Sequence, residues 1–478
     1  MTETPPLEID LTSIDRGSVT APAGFGKTQV IAGTIAKHHK QRFLILTHTN
    51  AGVRALHDRI TRIGTQRAAR IDTISGIALR LARAFPTGIG WNEEEGIDHH
   101  AAKVAAHTIL HRPTVRRALL NSYDRIIIDE YQDCSVIQHE IISHLANFIP
   151  TVVLGDPLQA IFDFDPLDPL ISWSQAQSVF PAAGTLTTPH RWASTNPPLG
   201  QWLKSIREPL GAGRPVPLPH NGIVNVYRMP RSINEGGLNG ALRGSGSSAI
   251  LIPDSQKAHE IPWVAKKLAR TSSVHEAVDH PELLTFVDKI ADGRSPEAVL
   301  LAAIDFTTKT TTGINAQSPV KTLTKNLKTN GHPGRNKNDL NRLAHQFIAT
   351  QSANTLAIFI STVISGRGCA TYRPGLLYAL LSTLRALGTG PIIDLPDAAR
   401  RTIEARRRMA PSPTTRSNIG STLRMKGLEY DSVTLIDPAR VPSAQHLYVA
   451  LSRARRRITL VIPPDSHLGQ WFVSNSPR

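Results

Sequence analysis

Cysteine is nearly absent from this 478-residue chain: Cys134 and Cys369 are the only two. That excludes a disulfide framework and a four-cysteine zinc site, and it suits a reducing compartment. No apolar run reaches the length needed to cross a bilayer, and the opening segment Met1–Glu8 has neither the basic nor the apolar part of a secretory signal. The expected location is therefore cytoplasmic, with no membrane partner. Acid is scarce too: 38 Asp and Glu stand against 54 Lys and Arg, a formal charge of +16. So basic a chain is biased towards polyanions, nucleic acid first, although the positive residues are spread through many segments and the charge alone decides little. No internal repeat and no long low-complexity tract is present, which removes solenoids and disordered scaffolds from consideration.

What is present begins at Ala21-Pro-Ala-Gly-Phe-Gly-Lys-Thr28, between a run ending Ser18-Val19-Thr20 and the helically spaced Gln29-Val30-Ile31-Ala32. Strand, loop and helix in that order read as a phosphate cradle. Gly24 and Gly26 let successive N–H groups turn inward, Ala21 stands where the first glycine is usual, Phe25 lies between the glycines, and the helix opening near Lys27 adds its positive end. Lys27 is expected to reach the β and γ phosphates of ATP, and the Thr28 hydroxyl to bind Mg²⁺. A plain tight turn is the bland alternative. Residues 126–133 weaken it, because Ile126-Ile127-Ile128 reads as a buried parallel strand delivering Asp129-Glu130-Tyr131-Gln132-Asp133 at its carboxyl end, where open α/β sheets place their chemistry. Asp129 can hold Mg²⁺ through water, and Glu130 can orient or deprotonate the water that attacks the γ-phosphate.

Short apolar runs alternate with helical segments, the mark of doubly wound α/β domains. Strands are expected at Phe43–Leu46, Ile126–Asp129, Val152–Leu154, Ile250–Ile252, Val433–Ile436 and Ile458–Ile462. They fall into two clusters. Residues 271–413 lack that rhythm and read as a mostly helical insertion.

The motifs in series resemble those of the UvrD/Rep group of superfamily 1 helicases. Asp129 to Asp133 resembles its Walker B motif, Gly155 to Phe162 its motif III, Pro189-His190-Arg191-Trp192 its motif IV, Thr422 to Tyr430 its motif V and Tyr448 to Ala454 its motif VI. The fold implied is α/β, with two RecA-like P-loop domains, a short insertion in the first and a larger, mostly helical insertion in the second. The expected boundaries are 1–184 for the first domain, with its insertion at about 84–120, then 185–270 and 414–478 for the two parts of the second, around an insertion at 271–413. By the same resemblance Gln159 senses the γ-phosphate, and Arg191 and Arg453 bring positive charge to it from the second core. His190 stands where the group has an adenine-stacking tyrosine. Gly427 and Glu429 belong to motif V, with Glu429 resembling a residue that accepts a hydrogen bond from the ribose.

Contacts to nucleic acid are expected from His48, Thr49 and Asn50, from Thr73 in a segment that resembles motif Ib, and from Arg424. His48 stands where the group often has a base-stacking phenylalanine, and Arg424 where it often has histidine. Phe162 and Phe164 are candidates for stacking on bases, since aromatics make up only 5% of the chain and these two adjoin a nucleotide sensor. The implied activity is ATP- and Mg²⁺-dependent translocation or unwinding on single-stranded DNA, in the 3′ to 5′ sense, by a compact member of the group. A second reading is a nucleic-acid-gated ATPase that regulates or loads a partner nuclease, as in phage defence, or serves a repair protein. An unrelated P-loop kinase or GTPase is disfavoured, because neither accounts for Gly155 to Phe162 together with Arg453.

Overall fold

Segments such as Phe43-Leu-Ile-Leu-Thr47 and Arg125-Ile-Ile-Ile128 are apolar at successive positions, as a strand covered on both faces requires. The computed structural model describes residues 7–64, 68–85, 98–162, 168–219, 222–229, 246–253, 260–276, 280–335, 337–408 and 417–473. In it these segments are central strands of a parallel sheet. Strands β1 (Arg16–Thr20), β2 (Phe43–Thr47), β3 (Ala69–Thr73), β4 (Arg125–Ile128), β5 (Thr151–Gly155) and β6 (Ala182–Thr185) lie in the order β3-β2-β4-β5-β1-β6. Every pairing in that sheet is parallel. Residues of β2, β4 and β5 are buried throughout.

Helices α1 (Lys27–Lys37), α2 (Asn50–Ile63), α3 (Ile74–Ala84), α4 (His99–Leu110), α5 (Pro113–Ser122) and α6 (Val136–Leu145) follow along the chain. One face of the sheet packs into a core that includes Leu44, Ile77, Ile109, Ile128, Tyr131 and Phe180. The strand order sets β4, β5 and β1 side by side, so the loops leaving their carboxyl ends meet at one edge. Those loops carry Asp129, Asp156 and the residues 21–28.

The chain packs as two compact units. The first comprises Met1–Ile223, Val441–Arg457 and Gln470–Arg478; the second comprises Val224–Arg440 and Ile458–Gly469. No compact-unit boundary falls at the 184/185 junction expected from the sequence. The reason is local: the His190–Trp192 turn packs on the phosphate loop, and the Ala444–Ser452 helix carries Arg453 to Gln159.

The second unit holds another six-stranded sheet. Its strands are β7 (Val224–Arg228), β8 (Ser248–Ile252), β9 (Ser273–Val274), β12 (Ser417–Ser421), β13 (Tyr430–Ile436) and β14 (Ala454–Ile462), in the order β7-β14-β13-β8-β12-β9. The two-residue strands β10 (Thr311–Thr312) and β11 (Ala370–Thr371) pair separately and antiparallel. Between β9 and β12 the chain is mostly helical, with helices at Pro281–Ala291, Pro296–Thr308, Ser318–Asn330, Asp339–Thr350, Ala353–Ile364, Pro374–Leu387 and Leu395–Arg408. They bury their own core around Leu283, Leu300, Phe347, Phe359 and Leu380. Among the described residues no helix is long and apolar enough to cross a membrane.

Candidate nucleotide site

The loop after β1 is shaped by its two glycines. Gly24 and Gly26 adopt φ of +76° and +87°, the left-handed region that costs other residues about 1 kcal/mol or more. Space forbids a side chain as well. A Cβ on Gly24 would lie 2.8 Å from the Arg191 Cβ and from the Trp192 ring, and one on Gly26 would lie 2.9 Å from the His190 ring. The loop closes on this turn with a hydrogen bond from the Arg191 N–H to the Gly24 carbonyl, 2.9 Å. Ala21 is fully buried and its N–H donates to the Gly155 carbonyl, so it needs no glycine. Phe25 does not face the cradle: its ring is buried edge-on against Trp192, with centroids 6.4 Å apart. Its side chain therefore shapes the loop from behind. Gly26 caps α1, and Thr28 is half-buried in that helix's first turn.

Lys27 lies between the acids expected from the sequence. Its Nζ is 2.9 Å from Asp129 Oδ1 and 2.5 Å from Glu130 Oε1. Burial opposes the ammonium charge, but the two carboxylates outweigh it and hold the lysine pKa above its ordinary value. Burial also pushes the Asp129 carboxyl up; Lys27 pulls it back only in part, with Glu130 adding like-charge repulsion. Glu130 sits in the left-handed region at φ +59°, ψ +40°. Non-glycine residues rarely adopt that conformation, and where they do they cluster at functional sites. The turn sends its carboxylate back towards Lys27, and Gln132 Nε2 donates to Glu130 Oε2 at 2.6 Å. Gln132 Oε1 in turn accepts from the Asp156 N–H, 3.0 Å.

Asp156, at the end of β5, is fully buried. Its carboxylate accepts from the Ala23 N–H of the phosphate loop (3.3 Å), from the Leu158 N–H (3.1 Å) and from Gln159 Nε2 (3.0 Å). Gln159 is thus turned with its carbonyl oxygen towards Arg453, whose Nη2 donates at 3.2 Å. Arg453 is 2% exposed and also donates to the Val449 carbonyl and the Ser452 hydroxyl. Arg191 Nη1 donates to the Ser452 carbonyl, 2.5 Å. Lys27, Glu130, Gln159, Arg191 and Arg453 thus occupy one unit and are joined through the phosphate loop, Asp156 and Ser452. Gln132 and Asp156 fall within the sequence motifs, but their linking roles emerge only from the folded chain. A signal for Asp156 exists, since an acid directly after a buried strand repeats the placement of Asp129.

Residues 91–170, the span that holds Asp129, Glu130, Asp156 and Gln159, match the UvrD/REP helicase N-terminal domain family. Over that span the chain is similar to the UvrD/REP helicases. It is 29% identical over 94 residues to an ATP-dependent helicase/nuclease subunit of Oenococcus oeni, covering 19% of this chain and 8% of that protein. It is 37% identical over 68 residues to the protein of the same name from Lactococcus lactis subsp. lactis, covering 14% of this chain and 6% of that protein. The chain thus matches less than a tenth of the length of either curated relative.

The residues expected to touch nucleic acid lie at several places in the fold. Thr49 and Thr73 cap α2 and α3, each hydroxyl accepting from an N–H three residues on, at 3.0 and 2.9 Å. Both caps stand at carboxyl ends of strands of the first sheet. His48 is half-buried, and its Nε2 lies 3.4 Å from Cys134 Sγ; Asn50 is exposed. Phe162 is half-buried, while Phe164 lies outside the described residues. Arg424, Gly427 and Glu429 lie in the second unit, Gly427 with φ +84°. Among the described residues no three His, Cys, Asp or Glu side chains cluster as a metal site. Mg²⁺ takes one or two carboxylates and completes its shell with waters and substrate phosphates. Asp129 and Thr28 fit that donor set.

Proposed function

We propose that this chain is an ATP-dependent translocase or helicase that moves along single-stranded DNA in the 3′ to 5′ sense. The carrying observation is Lys27 set between Asp129 and Glu130 at the edge where Asp156 aims Gln159 at Arg453. Lys27 keeps its proton across the working pH range and supplies charge to the β and γ phosphates. Glu130 accepts the proton of the attacking water, its carboxylate held by Gln132. Arg453 and Arg191 stabilise charge on the γ-phosphate, and an arginine in that role contributes roughly 10³ to 10⁵ in rate. Asp129 and Thr28 would hold Mg²⁺, which would neutralise charge on the phosphate oxygens.

Each six-stranded sheet is proposed to carry a RecA-like core; Gly427 and Glu429 are proposed to serve the nucleotide, and His190 to lie against its base. The short segment 84–120 and the helical segment 271–413 are then insertions in the first and second cores. The strand is proposed to run past His48, Thr49, Asn50, Thr73, Phe162, Phe164 and Arg424. A cytoplasmic location follows from this work on DNA. A nuclease or repair protein is the proposed class of partner, since the relatives are named as helicase/nuclease subunits. Displacement of a labelled strand from duplexes with 3′ or 5′ single-stranded tails tests the reading. Unwinding of the 3′-tailed duplex is expected; hydrolysis without displacement on either points instead to a nucleic-acid-gated ATPase.

A further inference from the structure

We infer that Arg207 is a positioning residue for ATP hydrolysis, acting through Asp156 to hold Gln159 against Arg453. This rests on the proposed ATPase. Arg207 opens the short helix Arg207–Gly211, outside every motif, and lies beyond the phosphate loop. Its Nη1 donates to Asp156 Oδ2 at 2.9 Å and its Nη2 to Oδ1 at 2.7 Å, a two-pronged pairing that fixes the plane of a carboxylate as well as its charge. The guanidinium also stacks over the Tyr448 ring, 4.8 Å from its centre, and Tyr448 lies on the helix that ends at Ser452, beside Arg453.

Asp156 has no exposure to solvent, so its charge depends on these donors. Its Oδ2 serves both the phosphate loop, through the Ala23 N–H, and the sensor, through Gln159 Nε2. Only an amide with its nitrogen on Asp156 presents its oxygen to Arg453. With the Arg207 fork removed, the carboxylate keeps only the Ala23 and Leu158 N–H groups and Gln159 Nε2 as donors, and its plane is held less firmly. The orientation of Gln159 is then less fixed, while Lys27, Asp129 and Glu130 keep their own contacts. The expected defect is therefore in recognition of the γ-phosphate rather than in nucleotide binding as such.

The test uses the full chain carrying Arg207→Met, Arg207→Lys, Gln159→Ala or the Met and Ala changes together. Equilibrium affinities for ADP and for a non-hydrolysable ATP analogue are read beside kcat, KM and Tm. Arg207→Met should leave ADP affinity within about twofold of the parent, lower the preference for the analogue over ADP about fivefold and lower kcat about tenfold. Arg207→Lys keeps the charge without the fork and should show a smaller loss of the same kind, about twofold to threefold; it serves in place of Arg207→Met if that variant does not fold. In the Gln159→Ala background, Arg207→Met should change the preference and kcat by less than about twofold, because the route through Gln159 is already gone. Parental preference in Arg207→Met or Arg207→Lys, or losses that multiply in the double variant, would overturn the inference. Lys27→Ala gives the separate control: if it binds both nucleotides like the parent, the nucleotide site itself is misassigned, whatever Arg207 does.

Discussion

Lys27 and Glu130 share a contact of 2.5 Å yet have separable tasks, and substitutions should part them. Lys27→Ala is expected to weaken nucleotide binding and to abolish turnover, since it removes charge from ground and transition states alike. Glu130→Gln should bind nucleotide nearly as the parent does while hydrolysis falls by about 10² or more. Filter binding beside a steady-state ATPase assay distinguishes the two outcomes. Lys27→Ala also leaves two close carboxylates without their cation, at a cost of about 3 kcal/mol for a broken buried pair. In that variant the Asp129 carboxyl is raised still further above its unfolded value. A group so raised contributes stability below its unfolded pKa and loses it as pH rises through the folded one. The deficit in Tm against the parent should therefore shrink as pH falls towards the ordinary carboxylate range, and a constant deficit would count against the pairing. Arg453→Lys and Arg191→Lys should each lower turnover strongly with little change in basal strand affinity, because an ammonium does not reproduce the guanidinium fork.

The strand–loop–helix of β1, the phosphate loop and α1 tolerates little change at its glycines. Gly26→Ala meets both a positive φ and the His190 ring, whereas Gly427→Ala meets a positive φ with open space around it. The first is expected to lower Tm more and to remove nucleotide binding; the second should cost only about 1 kcal/mol. Thermal melts with and without ADP provide the comparison. Much of this element is legible in the sequence, because glycine spacing and the switch from strand to helical periodicity are local signals. So is Asp129, although β4 ends at Ile128 and leaves the acid in the following turn. Strands β3, β6 and β12 escape a reading of the sequence, since Ala-Arg-Ile-Asp-Thr, Ala-Ala-Gly-Thr and Ser-Asn-Ile-Gly-Ser hold at most one large apolar residue each. The burial of Phe25 on Trp192 and the pairing of Arg207 with Asp156 are illegible for another reason. Each joins residues far apart in sequence, and no local pattern announces the partner.

At the level of the entire chain, the formal charge of +16 and the nucleotide site together make a salt-sensitive, polyanion-stimulated ATPase the expected behaviour. Affinity for single strands should fall steeply with added salt and vary little with base sequence, as counterion release and stacking on bases require. Fluorescence anisotropy with short oligonucleotides across a salt series checks this, and salt-independent binding would contradict the phosphate contacts. Phe164→Ala, in the proposed strand path, is expected to weaken that binding. The central claim is that DNA on this chain drives hydrolysis at Lys27 and Glu130. Its most direct test is the ATPase rate of the parent and of Glu130→Gln with no nucleic acid, single-stranded DNA, duplex DNA and RNA. The parent should be stimulated most by single-stranded DNA, and Glu130→Gln should stay inactive under every condition while still binding nucleotide. A parent rate that does not respond to DNA, or a Glu130→Gln variant that hydrolyses ATP like the parent, would contradict the account.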